Sequence, residues 1–305
     1  MKILVLGAGG IGGFFGSHLH EIGEDITFLV REKRKPIIEK KGIQIKSPIG
    51  DFSIQPNLIT KNQLTPIYDI ILLTCKSYNL NEVITDLEPL TGSGIIIPFL
   101  NGQTHLQKLD SHFNKKNIYG GVAYISSNVD EDGVIEHIGK NNKLTFGSRI
   151  GKNSDLIKDF YKRCIKTKFD ASLSNNIDQD VWEKWIFIAT VAGATTLFKT
   201  SLDQINRSRE GIKFLMGLFH ECCQISKLNG FKIRDEVKKI HETFFVDKNS
   251  KVKASMLIDM ERKSMTEHEH IFKEFINLGN SKKYDPIFLN TIYLNMLVYE
   301  NSLLN

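Results

Sequence analysis

The residues that point most directly to chemistry are glycines near the start of the chain. An apolar run from Ile3 to Leu6 leads straight into a Gly-x-Gly-x-x-Gly pattern, and helical spacing follows. In a strand-turn-helix unit, Gly7 permits a tight turn, Gly9 lets the backbone approach a pyrophosphate, and Gly12 lets the helix pack on the strand. The sequence therefore predicts a dinucleotide-binding loop, with a ligand-free glycine-rich turn as the alternative. The predicted loop residues are Gly7, Ala8, Gly9, Gly10, Ile11 and Gly12.

The end of the second predicted strand indicates which dinucleotide binds. An acidic residue there would bond the 2′-hydroxyl of NAD, and an arginine would accommodate the 2′-phosphate of NADP. Here the strand Ile26 to Val30 is followed by Arg31, the first of four positive charges in the five residues up to Lys35. This cluster favours NADPH. Glu32 leaves open a ribose-binding carboxylate, and a solvated helix start is the other alternative.

Several further motifs resemble those of the ketopantoate reductase (2-dehydropantoate 2-reductase) family, and the resemblance extends over nearly the whole chain. The motifs occur in the family's order and spacing. They are Leu73-Thr-Cys-Lys76-Ser, Leu100-Asn101-Gly102, Trp182-Glu-Lys184, Ala254-Ser255-Met-Leu-x-Asp259 and Thr266-Glu267.

The resemblance implies NADPH-dependent reduction of a 2-oxo acid to a 2-hydroxy acid, with ketopantoate, in pantothenate biosynthesis, as the family substrate. It implies that Lys184 is the catalytic general acid and also contacts the substrate. It assigns substrate contacts to Asn101, Ser255 and Glu267, and it places Lys76, Asn101 and Glu267 beside the cofactor. A lysine is an efficient acid at neutral pH only if burial lowers its pKa.

Each of these residues also has a plain structural interpretation. Lys184 follows Asp180 by four residues, the spacing of a surface ion pair on a helix. Asn101-Gly102 is an ordinary turn dipeptide, and Lys76 alone would be a surface lysine. Ser264 and Glu267 have capping-box spacing, which predicts a helix starting at Ser264. Because a straight helix would hold Ser255 and Glu267 about 18 Å apart, a bend between them is expected.

The substrate half departs from the family pattern. Asparagines of the family are replaced by Ile188, Ala192 and Val252, and Phe272-Lys273 replaces an Asn-Gly pair. Loss of these hydrogen-bonding groups predicts a more apolar substrate pocket that discriminates hydroxylated substrates poorly. Two alternatives stay open: a non-catalytic NADPH-binding protein, and a related hydroxyacid or 6-phosphogluconate dehydrogenase working in the oxidative direction.

The elements that must position these residues divide the chain into two parts. Short apolar runs separated by helical or loop segments predict a mostly parallel sheet in the first half. They are Ile3 to Leu6, Ile26 to Val30, Ile70 to Thr74, Ile95 to Phe99, Ile118 to Ile125 and Leu144 to Phe146.

The second half has long segments of helical periodicity. They are Val181 to Phe198, Gly211 to Asn229 and Thr266 to Leu278. The predicted fold class is α/β, a Rossmann-type doubly wound NADP-binding domain (1–170) followed by an all-helical substrate and catalytic domain (171–305). A polar segment from Lys168 to Gln179 is predicted to be the linker, ending at a helix N-cap near Asn176 or Asp178.

Composition narrows the classes of function. The chain has 305 residues, with 41% hydrophobic and 25% charged, as in a globular protein with a sizeable core. The net charge of +5 suits an anionic ligand. The sequence does not show the basic face with interleaved aromatic residues that is typical of nucleic-acid binding, so no nucleic-acid partner is expected. The longest uncharged run, Trp185 to Phe198, is too short to cross a bilayer. Glycines interrupt any signal-like segment at the N-terminus, so a cytoplasmic location is expected.

No metal site is expected. The four cysteines lack Cys-x-x-Cys spacing, and a reduced state is predicted for them. His268 and His270 are two residues apart on a predicted helix and face different directions, so we interpret the segment Glu267-His-Glu-His270 as a solvated helix start. Apolar faces in the helical half are compatible with a homodimer, which occurs in the family.

Overall fold

A computed structural model describes residues 1–303, and the chain divides into two compact units. The first contains residues 1–100 and 105–180, and the second contains Asn101–Thr104 together with the chain from Val181 onward. Each unit has its own elements and core.

The described residues include ten strands and twelve α-helices. The strands are β1 (Lys2–Leu6), β2 (Asp25–Leu29), β3 (Ile43–Lys46), β4 (Phe52–Ile54), β5 (Asn57–Ile59), β6 (Ile70–Leu73), β7 (Ile95–Pro98), β8 (Gly120–Val129), β9 (Ile135–Gly147) and β10 (Asp170–Leu173). The helices are α1 (Gly10–Glu21), α2 (Lys35–Lys41), α3 (Leu80–Asp86), α4 (Thr104–His112), α5 (Asp155–Cys164), α6 (Ile177–Phe198), α7 (Leu202–Ile205), α8 (Arg209–Leu228), α9 (Asp235–Phe245), α10 (Ser255–Glu261), α11 (Glu274–Ser281) and α12 (Ile287–Leu303).

The main sheet of the first unit is parallel throughout, in the order β5-β2-β1-β6-β7. Strands β1, β6 and β7 are almost continuous apolar runs, as expected for parallel strands covered on both faces. The chain moves to opposite sides of β1 when it forms β2 and β6, so the carboxyl ends of β1 and β6 border the switch point where such sheets bind ligands. The predicted parallel Rossmann-type sheet is confirmed.

A second sheet in the same unit has the order β10-β9-β3-β4, with β8 antiparallel to β9. The runs that predicted β8 and β9 are extended in the structure into a long hairpin. Strands β3, β4, β5 and β10 were not predicted, because each has only three or four residues and most alternate apolar with polar positions. Strand β10 corrects the linker prediction, since it pairs with β9 inside the segment that was expected to be a linker.

The second unit is helical, as predicted. Helix α6 is apolar on all sides over most of its length and forms the centre of this core, which explains the long uncharged run. Its own Trp185 is fully buried, and the same core contains fully buried side chains from other helices, including Phe219, Phe275 and Ile292. The helix begins directly after Asn176, one of the two predicted cap positions. Among residues 1–303, no helix combines the length and apolar character needed to span a membrane.

Candidate active site

The glycine loop at the end of β1 has the geometry that its spacing predicts. Gly7 has φ +94°, in the region that favours glycine, and its N–H donates to the Leu29 carbonyl at 3.1 Å. A Cβ on Gly12 would lie 2.2 Å from Thr74 Oγ1 and 2.3 Å from the Gly7 carbonyl oxygen. Gly12 therefore allows α1 to pack directly on the strand ends.

Gly9 is different, because it borders open space. It is the N-cap residue of α1, and a Cβ built on it would have no atom within 4 Å. The first turn of α1 contains no acidic residue, and its N–H groups have no partner within the helix. Open space in front of a helix N-terminus fits the phosphates of a dinucleotide. Ala8 is buried below this cradle, and Ile11 is half-buried.

Gly10 is explained by a close neighbour from β8. A Cβ there would lie 2.7 Å from the Ser127 carbonyl oxygen and 2.8 Å from its hydroxyl. The Ser127 hydroxyl is buried and has no hydrogen-bond partner among the described residues. Loop residue Gly10 thus has a packing role as well as its predicted place in the cradle.

Thr74 belongs to this site, although sequence reasoning gave it no role. Its hydroxyl donates to the Leu6 carbonyl at 2.6 Å and so ties the end of β6 to the end of β1. The available signal was a hydroxyl directly after a buried strand, at the edge where the glycine loop lies. Lys76 follows two residues later, half-buried, at the start of a short 3₁₀ turn over Ser77–Asn79.

The first and last basic residues of the cluster from Arg31 to Lys35 have different partners. Arg31 is exposed, with its guanidinium 3.7 Å from a carboxylate oxygen of Glu82. Lys35 instead donates to Gln63 Oε1 at 3.0 Å. Glu32 is exposed beside them. Arg31, two residues after the end of β2, therefore has a carboxylate of α3 beside it.

In the second unit, the residues next to Lys184 on α6 are anchored. The Trp182 ring stacks on Phe231 with centroids 5.0 Å apart. The buried Glu183 carboxylate accepts the backbone N–H of Arg234 at 2.8 Å and pairs with its guanidinium. Trp185 donates its indole N–H to the Ile271 carbonyl at 3.1 Å. These contacts fix the direction in which Lys184 leaves the helix.

The ionisation of Lys184 is shifted in the direction that a general acid requires. Burial lowers the pKa of its ammonium group to about 8, and the nearby Glu267 carboxylate opposes that shift. The residue as a whole is only half-buried. This desolvation distinguishes Lys184 from an exposed lysine on a helix surface.

Glu267 is buried, at 7% exposure, and directly precedes a helical segment. The predicted capping box is wrong, because the residues from Ser264 to Glu267 are not helical and the helix begins at His268. The Ser264 hydroxyl instead donates to the Arg262 carbonyl at 3.4 Å. The Glu267 carbonyl accepts the N–H of Ile271 at 3.0 Å, at the start of the helical segment that includes a π-helical turn over Glu269–Lys273.

The expected bend between Ser255 and Glu267 is present, but it is formed by the end of α10 at Glu261 and the non-helical residues after it. Ser255 is exposed and is the first residue of α10. The preceding residue, Ala254, donates its N–H to Thr195 Oγ1 at 3.4 Å, about three turns beyond Lys184 on α6. Convergence of Ser255 on Lys184 stays a prediction.

The Asn101-Gly102 turn lies beside the segment that carries Glu267. Gly102 is buried with φ +82°, and a Cβ on it would lie 3.1 Å from His270 Nε2. Thr104 Oγ1 lies 3.2 Å from His270 Nδ1. The structure thus brings the turn next to a residue three positions after Glu267, while Asn101 itself is half-buried.

The positions that depart from the family pattern differ in their surroundings. Ile188 is half-buried one turn after Lys184, and Ala192 is buried at 1% exposure. Val252 is 38% exposed. Phe272 is a fully buried core residue, so its replacement of a polar residue serves packing.

The segment Glu267-His-Glu-His270 is not solvated as predicted. His268 is only 2% exposed, because the chain after α10 turns inward and packs beneath α12. Burial lowers the pKa of His268, and its Nδ1 lies 2.8 Å from the Thr266 hydroxyl. Within residues 1–303, no three His, Cys, Asp or Glu side chains are grouped so that they could hold a metal ion.

Comparison with known proteins covers almost the whole chain. The family described as ketopantoate reductase PanE/ApbA matches residues 3–151, and its C-terminal part matches residues 176–299. An "uncharacterized oxidoreductase YkpB" of Bacillus subtilis is 34% identical over 98% of this chain and 99% of its own length. A 2-dehydropantoate 2-reductase of Aquifex aeolicus is 24% identical over 100% and 98%, respectively.

Solved structures share the fold. A D-mandelate dehydrogenase solved with NADH and anilino(oxo)acetate superposes with a TM-score of 0.89 at 18% identity, covering 99% of both chains.

Proposed function

Because the chain belongs to the ketopantoate reductase family of oxidoreductases, we propose that it reduces a 2-oxo acid to the 2-hydroxy acid with NADPH. The observation that carries the proposal is the environment of Lys184. Burial lowers the pKa of this lysine to about 8, and the Glu267 carboxylate lies close enough to oppose that shift. A surface lysine would need neither the anchoring of α6 on both sides nor this desolvation.

The glycine loop supports a dinucleotide, since Gly9 leaves space in front of the α1 N-terminus and Gly12 closes the turn. Bound NADPH supplies the hydride that is added at C2 of the oxo acid. Arg31 is the proposed partner of the 2′-phosphate, and Lys76, Asn101 and Glu267 are proposed to border the cofactor. Arg31 can offer a planar pair of donors to a phosphate.

Residues of the chain itself donate the proton and hold the substrate. Lys184 donates a proton from Nζ to the oxygen on C2 as negative charge develops there. A pKa near the working pH makes this transfer efficient, and Glu267 keeps enough of the lysine protonated to act. Ser255 is proposed to donate to the substrate carboxylate, and Asn101 to hold the substrate beside the nicotinamide.

We further propose that the substrate carries an apolar group at C3. Ile188, one turn from Lys184, and the buried Ala192 offer no hydrogen bond to a hydroxyl on that group. The D-mandelate dehydrogenase with the same fold was solved with an aryl-bearing oxo acid. We infer an apolar 2-oxo acid of this general class as the substrate of this chain.

The test is a panel of 2-oxo acids assayed with NADPH and with NADH, ketopantoate against branched and aryl apolar acids. We expect NADPH oxidation, with a higher kcat/KM for the apolar acids. An Ile188→Asn variant is expected to shift the ratio of kcat/KM values toward ketopantoate by about tenfold. A clear wild-type preference for ketopantoate would contradict the apolar pocket.

The same assay separates the other functions. Tight NADPH binding without oxidation by any 2-oxo acid would indicate a non-catalytic binding protein. Faster initial rates with 2-hydroxy acids and NADP⁺ would indicate a dehydrogenase working in the oxidative direction. The lowered pKa of Lys184 favours catalysis over simple binding.

A further inference from the structure

A histidine outside the predicted set connects two parts of the candidate active site. His270 Nδ1 lies 3.2 Å from the Thr104 hydroxyl, 166 positions away in the sequence. The same ring occupies the space beside Gly102, where a Cβ would come within 3.1 Å of Nε2 and 3.2 Å of Cδ2. Thr104 is itself buried at 8% exposure. The His270 ring therefore borders the short segment Asn101–Thr104 at two positions, Gly102 and Thr104.

His270 also lies on a segment that is fixed relative to Lys184. One residue later, the Ile271 carbonyl accepts the indole N–H of Trp185, the residue after Lys184. The Ile271 N–H donates to the Glu267 carbonyl. All of these groups belong to the second unit. A displacement of the His270 ring would therefore be felt by the Asn101 turn, whereas Glu267 and Lys184 have their own supports.

We infer that His270 is a positioning residue, which sets Asn101 relative to Glu267 and Lys184. This inference rests on the proposed function, since it assigns Asn101 to the substrate. Gly102 has a positive φ and leaves the turn without a side chain of its own at that point, so the imidazole supplies the packing surface. The hydrogen bond to Thr104 then fixes the register of the turn against the π-helical turn Glu269–Lys273.

The test compares His270→Ala, His270→Asn, Thr104→Val and the double variant Thr104→Val/His270→Ala, with exposed His220→Ala as the matched control. We expect His270→Ala to lower kcat/KM for the 2-oxo acid by about tenfold or more through misplacement of Asn101. Thr104→Val is expected to lower kcat/KM by a smaller factor. The double variant is expected to lose no more activity than His270→Ala, because both substitutions remove the same contact. Asparagine retains a polar group close to Thr104 and is expected to recover part of the loss.

Two further readouts separate positioning from general destabilisation. The pH at which kcat/KM of His270→Ala breaks is expected to stay near that of the wild type, since Glu267 and Lys184 keep their own contacts. Hydrogen exchange of the backbone amides from Asn101 to Thr104 is expected to accelerate, and that measurement needs no substrate. Losses that add in the double variant, or unchanged exchange in this segment, would overturn the inference. Faster exchange in a protein that reduces no 2-oxo acid would overturn the proposed function and leave the positioning contact established.

Discussion

The glycine loop of the first unit and the surroundings of Lys184 in the second unit are built by opposite means. In the first unit, the glycine loop works through positions where a side chain is absent: Gly9 borders open space, and Gly12 lies against Thr74. In the second unit, the residues next to Lys184 on α6 are anchored by their side chains, as Trp185 is by its hydrogen bond to the Ile271 carbonyl. The glycine loop depends on the absence of side chains, for packing at Gly12 and for open space at Gly9, whereas Lys184 depends on charge and burial. Substitutions in the two regions should therefore affect different measured properties.

The largest effect is expected in the second unit, for Lys184→Ala. Loss of the proposed general acid should lower kcat by about 10²- to 10⁴-fold. NADPH affinity should change little, because the glycine loop belongs to the other unit. Steady-state kinetics and a fluorescence titration with NADPH measure the two quantities separately, with Lys199→Ala, an exposed lysine directly after α6, as the control. Full activity in Lys184→Ala would show that the catalytic assignment is wrong.

The next prediction contrasts two glycines of the loop. Gly9→Ala adds a methyl group to open space, so we expect an unchanged melting temperature and NADPH affinity weakened by about tenfold or more. Gly12→Ala places its Cβ 2.2 Å from Thr74 Oγ1, and we expect the free energy of unfolding to fall by about 1–3 kcal/mol. Each variant is the control for the other. Wild-type affinity in Gly9→Ala would argue against a phosphate cradle at this position.

This contrast also explains what sequence reasoning reached and what it missed. The glycine loop and the parallel strands were predictable, because spacing along the chain alone determines a tight strand-turn-helix unit. The role of Thr74 and the contact of His270 with Thr104 depend on residues far apart in the sequence. The capping box at Ser264 and the solvated helix start were wrong for a related reason. Local propensity favoured both, but burial of Glu267 and His268 decided the local structure.

A smaller effect is expected on the pH dependence of the reaction. Lys184 must be protonated to donate, so kcat/KM for reduction should be level below pH 8 and fall as the pH rises through about 8. The Glu267 carboxylate raises the lysine pKa, so its removal in Glu267→Gln should move the fall to lower pH by about one unit. Wild-type and Glu267→Gln profiles measured with the same 2-oxo acid test this. An identical break in both profiles would mean that Glu267 does not act on Lys184.

The smallest effect is expected at the surface of the first unit, where charge rather than packing matters. The Arg31 guanidinium lies 3.7 Å from Glu82, with 67% and 63% of the two side chains exposed. If Arg31 binds a 2′-phosphate, Glu82 competes for it and repels the phosphate. Glu82→Gln should therefore tighten NADPH binding by about two- to threefold, in the range of an exposed ion pair, and leave NADH binding unchanged.

Salt dependence identifies the origin of that change. The gain in Glu82→Gln should shrink between 0.05 and about 0.5 M salt, since exposed charges are screened over about 4 Å at the higher concentration. The matched control is Glu88→Gln, which removes an exposed carboxylate just after the end of α3. This variant should change the affinity for neither NADPH nor NADH. Equal tightening of NADPH and NADH in Glu82→Gln would contradict a 2′-phosphate at Arg31. It would make Glu32 the residue to test as the acceptor of a ribose hydroxyl.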